Sequence, residues 1–147
     1  MRHKHWFAVI LTCSVLSPAF ADVEVVVEYR QGVMEANGGH MAALKAIFIG
    51  GQKQFLPYAV EHGEAIAGIA KSIPDMFPPG STHRKSEARK RIWRNWDDFV
   101  ARARALERLS LDFVEAAKSG DETAMTQAFK KMGKEGCSAC HERYRDD

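Results

Sequence analysis

From Asp22 to Gly50 the positions Val26, Tyr29, Arg30, Val33, Met34, Met41, Leu44 and Phe48 recur at steps of three, four or seven, the spacing of one helical face. The run Val23-Glu24-Val25-Val26-Val27 is β-branched enough to open a strand. Gly32, Gly38 and Gly39 each weaken a helix by about 1 kcal/mol against Ala. The reading remains a helix, whose glycines mark either the approach of something flat or a kink without function. Gly50-Gly51 ends it, and a second helix follows to about Ser72 with Phe55, Tyr58, Ala59, His62, Ala65, Ile66 and Ile69 on one side. Pro57 is tolerable only near its first turn. Pro74 to Lys85, with three prolines and a glycine, is loop.

A third helix runs from Ser86 or Arg91 to Lys118, with Trp96, Phe99, Val100, Ala103, Leu106, Ser110, Phe113 and Ala117 as its apolar stripe. Arg102, Arg104 and Arg108 fall around it and read as a solvated face. Ser119-Gly120 closes this helix, and Asp121 is placed to cap a fourth. In that helix Ala124, Ala128, Phe129 and Met132 lead on to Cys137. Four helices with short connections predict an all-α chain, an antiparallel four-helix bundle. The sequence has neither an internal repeat nor a low-complexity segment.

The segment 1–21 stands outside this pattern. Arg2, His3, Lys4 and His5 form a basic start, Trp6 to Leu16 is an apolar run too short to span a bilayer, and Ala19-Phe20-Ala21 is a small-x-small cleavage site. These features predict a cleaved export signal and a mature chain of residues 22–147, one small domain. Cys13 suggests a lipoprotein anchor, but Thr12 before it fits poorly, and it is expected to leave with the signal. Of the 21 Lys+Arg, Arg2 and Lys4 are lost, whereas all 19 Asp+Glu lie from Asp22 onward. The mature chain is therefore formally neutral, and its charge gives no reason to expect a nucleic-acid partner. No other apolar run approaches membrane-spanning length, so a soluble periplasmic protein is expected.

The chemistry is concentrated in Cys137-Ser138-Ala139-Cys140-His141, after which six residues remain. Cys-x-x-Cys-His is the attachment signature of c-type haem. Two thiols must reach the two vinyl groups of one porphyrin, and an imidazole must reach the iron from the same side. Residues three and four apart share a helical face, so Cys137, Cys140 and His141 point at one ligand. Three other readings explain less. Zinc needs four ligands, and no second Cys/His pair lies nearby. A thioredoxin-like pair belongs beside a strand–helix–strand pattern, and a local disulfide leaves His141 unexplained. One covalent haem c is the cofactor expected, with Cys137 and Cys140 as its thioether anchors and His141 as the proximal iron ligand.

A sixth ligand must come from upstream. Met125 and Met132 share the helix that carries His141, and Met76 sits in the proline-rich loop. Met34 and Met41 share a face of the first helix about 10 Å apart, so one alone of these two can reach the metal; the common fate of a helical methionine is core packing. His40 points well away from Met34, and His62 and His83 lack a supporting pattern.

The tail Cys137-x-x-Cys140-His141-x-x-Tyr144-Arg145 and the run Tyr29-Arg30-Gln31-Gly32-Val33-Met34 resemble the class II c-type cytochromes, the cytochrome c′ family, over essentially the whole mature chain. Ile92-Trp93 is similar to the family as well, although Lys90-Arg91 stands where Pro-Glu usually precedes it, which leaves the start of the third helix open. The resemblance implies a four-helix bundle with haem near the C-terminus. It implies that Arg30 and Gln31 line the haem edge, with Arg30 near a propionate, and that Arg145 shapes the pocket beside His141. It also places Met34 at the position that divides the family. In cytochrome c′ proper a bulky residue, occasionally Met, screens a five-coordinate iron there; in the low-spin cytochrome c-556 branch a Met binds it. The run Gly38-Gly39-His40-Met41 looks more like the low-spin branch.

On that reading the expected function is one-electron transport through a His141/Met34-ligated haem, with transient redox partners, the chain being monomeric or homodimeric. No acid–base pair or nucleophile lies near the motif, and an enzyme is not expected. The alternative is a five-coordinate protein that binds nitric oxide or carbon monoxide.

Overall fold

Asp22 starts the first helix. Its carboxylate accepts the Glu24 backbone N–H at 3.0 Å, satisfying one of the donors that every helix N-terminus leaves free. The helix α1 then runs Val23–Phe48. The valine run is therefore helical, anchored by Val27, which is fully buried. The computed structural model describes residues 22–146, and the expected export signal lies outside them.

The inward face of α1 is largely the one the periodicity predicts: Arg30 and Leu44 are buried, and Val33, Met34, Met41 and Phe48 pack against the core. Its buried positions are Val27, Arg30, Asn37, Leu44 and Ile47, whereas Tyr29 is 63% exposed. Two polar residues thus occupy interior positions, Arg30 within the predicted stripe and Asn37 beside it. Gly32, Gly38 and Gly39 have nothing packed where a Cβ would stand, so no backbone approaches α1 at these points.

Pro57 lies in a 3₁₀ segment, Lys53–Tyr58, that leads into α2, Ala59–Ser72. There its missing N–H interrupts no α-helical ladder. Phe55 and Tyr58, expected on the inner face, are exposed. A second 3₁₀ turn, Ile73–Met76, precedes the loop. The third helix is broken near its start: α3 is Arg91–Arg94, and Asn95, at φ −128° and ψ 50°, separates it from α4, Trp96–Ser119. Gly120 takes φ +76° to end α4, a left-handed conformation that favours glycine. Asp121 then caps α5, Glu122–Lys131, accepting the N–H groups of Thr123 and Ala124 at 2.8 and 3.1 Å. A π-helical turn, Met132–Ser138, carries the chain into α6, Ala139–Tyr144.

The four helical columns are α1, α2, α4 and the α5–α6 run, and they form a four-helix bundle. Leu44 and Ile47, Ile66 and Ala70, Phe99, Leu106 and Phe113, and Phe129 and Met132 meet along its axis. Phe113 stands edge-on to Phe48 with ring centroids 5.8 Å apart, and Phe99 edge-on to Tyr144 at 5.4 Å. The expected stripe of α4 is present at Phe99, Ala103, Leu106, Ser110 and Phe113. The loop before α3 is tied to the chain's end: Arg89 N donates to Tyr144 O at 2.9 Å and Asp146 N to Glu87 O at 2.7 Å. Among the described residues no helix is long and apolar enough to cross a membrane.

The α2–α4 contact depends on Gly63. A Cβ there would lie 2.7 Å from Phe113 Cδ1 and 2.8 Å from Val114 Cγ2, and both neighbours are packed core side chains. Gly63→Ala is expected to destabilise the bundle by about 1–3 kcal/mol, measured as a lowered midpoint in chemical denaturation of the purified protein.

Candidate functional site

Between α1, α4 and the C-terminal helical run lies a pocket of about 710 Å³, within the usual range for cofactor sites. Cys137, Cys140 and His141 line it together, so the face their spacing predicted is a real one. The preceding π turn sets their direction. Turns of this kind are rare and concentrate at functional sites; here it includes Cys137 and hands on to α6, which carries Cys140 and His141. Gly136 lets α4 come close beside it, since a Cβ there would stand 2.7 Å from Leu106 Cδ1.

Both thiols are free and half-buried. Burial pushes Cys137 up and Cys140 up to about 11, Arg102 offsetting part of the latter shift. They are therefore protonated at neutral pH. Among the described residues no group of three or more His, Cys, Asp or Glu side chains converges, so zinc lacks its ligands and the cysteines form no disulfide. Burial holds His141 below its ordinary value; nearby Arg145 lowers it further and Glu87 opposes this. The imidazole is consequently neutral, with a lone pair to offer a metal. Arg145 Nη1 lies 3.4 Å from His141 Nδ1.

The opposite wall is α1. Arg30, Gln31, Met34, Asn37 and Met41 all line the pocket, following one another at roughly helical-turn spacing. Arg30 is 3% exposed. It donates to Ser81 Oγ at 3.0 Å and to Ser86 Oγ, and its guanidinium lies 4.7 Å from the Phe77 ring centroid. Burial depresses its pKa. Among the described residues no carboxylate pairs with it. Gln31 Nε2 donates to Lys85 O at 2.8 Å. Asn37 is 6% exposed, and its Oδ1 has no hydrogen-bond partner.

The other candidate ligands lie elsewhere. Met76, Met125 and Met132 are buried in the core and do not line the pocket. Nor do His40, His62 and His83. Sulphur donors on the wall facing His141 are thus confined to Met34 and Met41.

Arg102 departs from the expected solvated face. Its Nε donates to Asp98 Oδ2 at 2.9 Å, Nη1 donates to the Ala139 carbonyl at 2.9 Å, and the side chain lines the pocket. The Tyr144 hydroxyl donates to the same Asp98 oxygen, and Arg143 Nε lies 3.2 Å from it. Asp98 is held below the usual carboxylate range by Arg102 first and then by Tyr144. This cluster fastens the peptide between the two cysteines to α4. The i, i+4 spacing of Asp98 and Arg102 was its signal in the sequence. Asn37 and Ser81 had none.

A flat apolar group with an anionic edge suits this pocket. Its walls are largely apolar, two thiols and an imidazole converge on one side, and a buried cation waits without a counter-ion. The family model described as Cytochrome C' matches residues 25–145. The chain belongs to the cytochrome c′ family. It is 38% identical over 127 residues to a cytochrome c' of Pararhodospirillum photometricum, covering 86% of this chain and 100% of that protein. It is 42% identical over 120 residues to a cytochrome c-556 of Agrobacterium tumefaciens (strain II Chrys), covering 81% and 95%. Among solved structures it resembles cytochrome c prime from Shewanella frigidimarina, with TM-score 0.80 and 26% identity over 87% of this chain and 99% of that one. It is also similar to a nitric oxide complex of a mutant cytochrome c prime from Alcaligenes xylosoxidans, with TM-score 0.78 and 25% identity over 87% and 98%. As a member of this family the chain carries covalent haem c, and Cys137 and Cys140 stand near its C-terminus as the attachment chemistry requires.

Replacing both Cys137 and Cys140 with Ser is expected to abolish the haem stain of the protein on a denaturing gel, while wild type keeps it. Arg102→Leu removes charge-assisted bonds worth roughly 1.5–3 kcal/mol and is expected to lower the denaturation midpoint of the haem-loaded protein correspondingly.

Proposed function

We propose that this cytochrome c′ family member is an exported, periplasmic one-electron carrier whose haem is held between His141 and Met34. The supporting observation is the confinement of distal sulphur to two residues of α1, together with the position of Met41. The Met41 methyl carbon would stand 3.5 Å from a Cβ on Gly133, against the turn that leads into the motif. Met41 is thus placed beside that turn, and both methionines pack against the core. Met34 lies between Met41 and Arg30 in the sequence and lines the same wall.

Haem iron, when bound, supplies the reversible one-electron change. The residues do the rest. His141 and Met34 would hold the iron between them, leaving no open site for a substrate and keeping its ligands unchanged as its charge changes. A thioether ligand also raises the reduction potential. Arg30, held by its bonds to Ser81 and Ser86, would set a positive charge beside the propionates and disfavour the oxidised, more positive state. Redox partners meet the protein through small, transient contacts. This reading is of a carrier rather than an enzyme.

A second reading is favoured by the likeness to the nitric oxide complex: Met34 packs over an open iron and the protein captures a small gas. The Met34→Ala variant separates the two. If Met34 is the ligand, the ferric spectrum changes from low-spin to high-spin, while Met41→Ala leaves it low-spin. A wild-type spectrum that is already high-spin, and unchanged in Met34→Ala, favours gas capture. Arg30→Gln is expected to lower the reduction potential in an electrochemical titration, because it removes a positive charge beside the haem edge.

A further inference from the structure

Away from the haem pocket, α1 and α2 bring two imidazoles together. His40 Nδ1 and His62 Nδ1 are 3.0 Å apart, with ring centroids 5.3 Å apart and the planes inclined by 55°. Both side chains are half-buried, so the pair is held by packing yet open to solvent on one side. Neither ring reaches the haem pocket.

Two nitrogens facing each other at this distance make one of two things. One is an N–H···N hydrogen bond, which requires the two rings to differ in protonation at Nδ1. The other is the bite of a chelate. With metal–nitrogen bonds of about 2.0 Å, a 3.0 Å separation subtends about 97° at an ion. A tetrahedral centre needs about 3.3 Å between its nitrogens at the same bond length. The observed separation is closer to the right angle of a tetragonal centre, the geometry of Cu(II) and Ni(II) with nitrogen and oxygen ligands. His62 is held below its ordinary pKa by burial first and by His40 second, which favours the neutral ring that a metal requires. No third His, Cys, Asp or Glu joins the pair among the described residues. Water would complete the coordination, which Cu(II) tolerates and a closed structural zinc site does not.

We propose that His40 and His62 form a bidentate site for a divalent transition-metal ion, Cu(II) being held most tightly, that ties α1 to α2 independently of the haem. Imidazole suits copper, and Cu(II) heads the affinity order for nitrogen donors, with Ni(II) and Zn(II) weaker.

The test is titration of the haem-loaded mature protein with Cu(II), followed by electron paramagnetic resonance and calorimetry. The expected result is one equivalent bound per chain, with a tetragonal Cu(II) signal showing nitrogen hyperfine structure. Either His40→Ala or His62→Ala should weaken that binding roughly 100-fold or more, since each leaves a single imidazole without its chelate partner. His83→Ala should leave it unchanged, and the haem spectrum of all three variants should stay as in wild type, so a misfolded protein is recognised. Absence of stoichiometric copper, or undiminished binding in His40→Ala and His62→Ala, would overturn the proposal and leave the pair as a hydrogen bond between helices.

Discussion

Two thiols and an imidazole at spacings of three and one can meet a single flat ligand only if the backbone beneath them is helical and fixed. That requirement organises the rest of the chain. The π turn at Met132–Ser138 brings Cys137 to the same pocket as Cys140 and His141. Arg102 then fastens the Ala139 carbonyl to α4 while Asp98 holds Arg102 and Tyr144. The return of residues 87–89 along the chain's end closes the segment from the other side. Such anchoring costs freedom but preserves geometry.

The facing helix is built on the opposite principle. A core stripe ordinarily excludes charge, yet α1 turns Arg30 and Asn37 inward. An uncompensated buried cation is expensive, and among the described residues no carboxylate pairs with Arg30. Its two serine partners orient it without neutralising it. Asn37 Oδ1, buried without a partner, belongs to the same departure from ordinary core rules, and both residues lie on the wall opposite the haem-bearing segment.

How much of this the sequence discloses depends on what enforces each feature. The attachment motif is legible because covalent chemistry dictates its spacing. Gly120 and Asp121 are legible because helix ends have few solutions. The stripe of α4 is legible because its interior is apolar throughout. In α1 the periodicity found most of the inner face, Arg30 and Leu44 included, but gave no sign of Asn37 and placed Tyr29, which faces solvent, on the same side. Arg102 read as surface because an arginine beside an apolar stripe usually is, and its role needs the position of Ala139. The π turn leaves no periodic trace, because one widened turn only shifts the phase of the residues beyond it. The break at Asn95 likewise emerged from the backbone rather than from the Lys90-Arg91 substitution that raised the question.

The proposed carrier role stands on a thioether from α1 closing the iron opposite His141. Exposing the ferrous protein to carbon monoxide tests it most directly. A low-spin spectrum that stays unchanged under saturating gas is the predicted result. Rapid formation of a carbon monoxide adduct by a high-spin ferrous protein would contradict it.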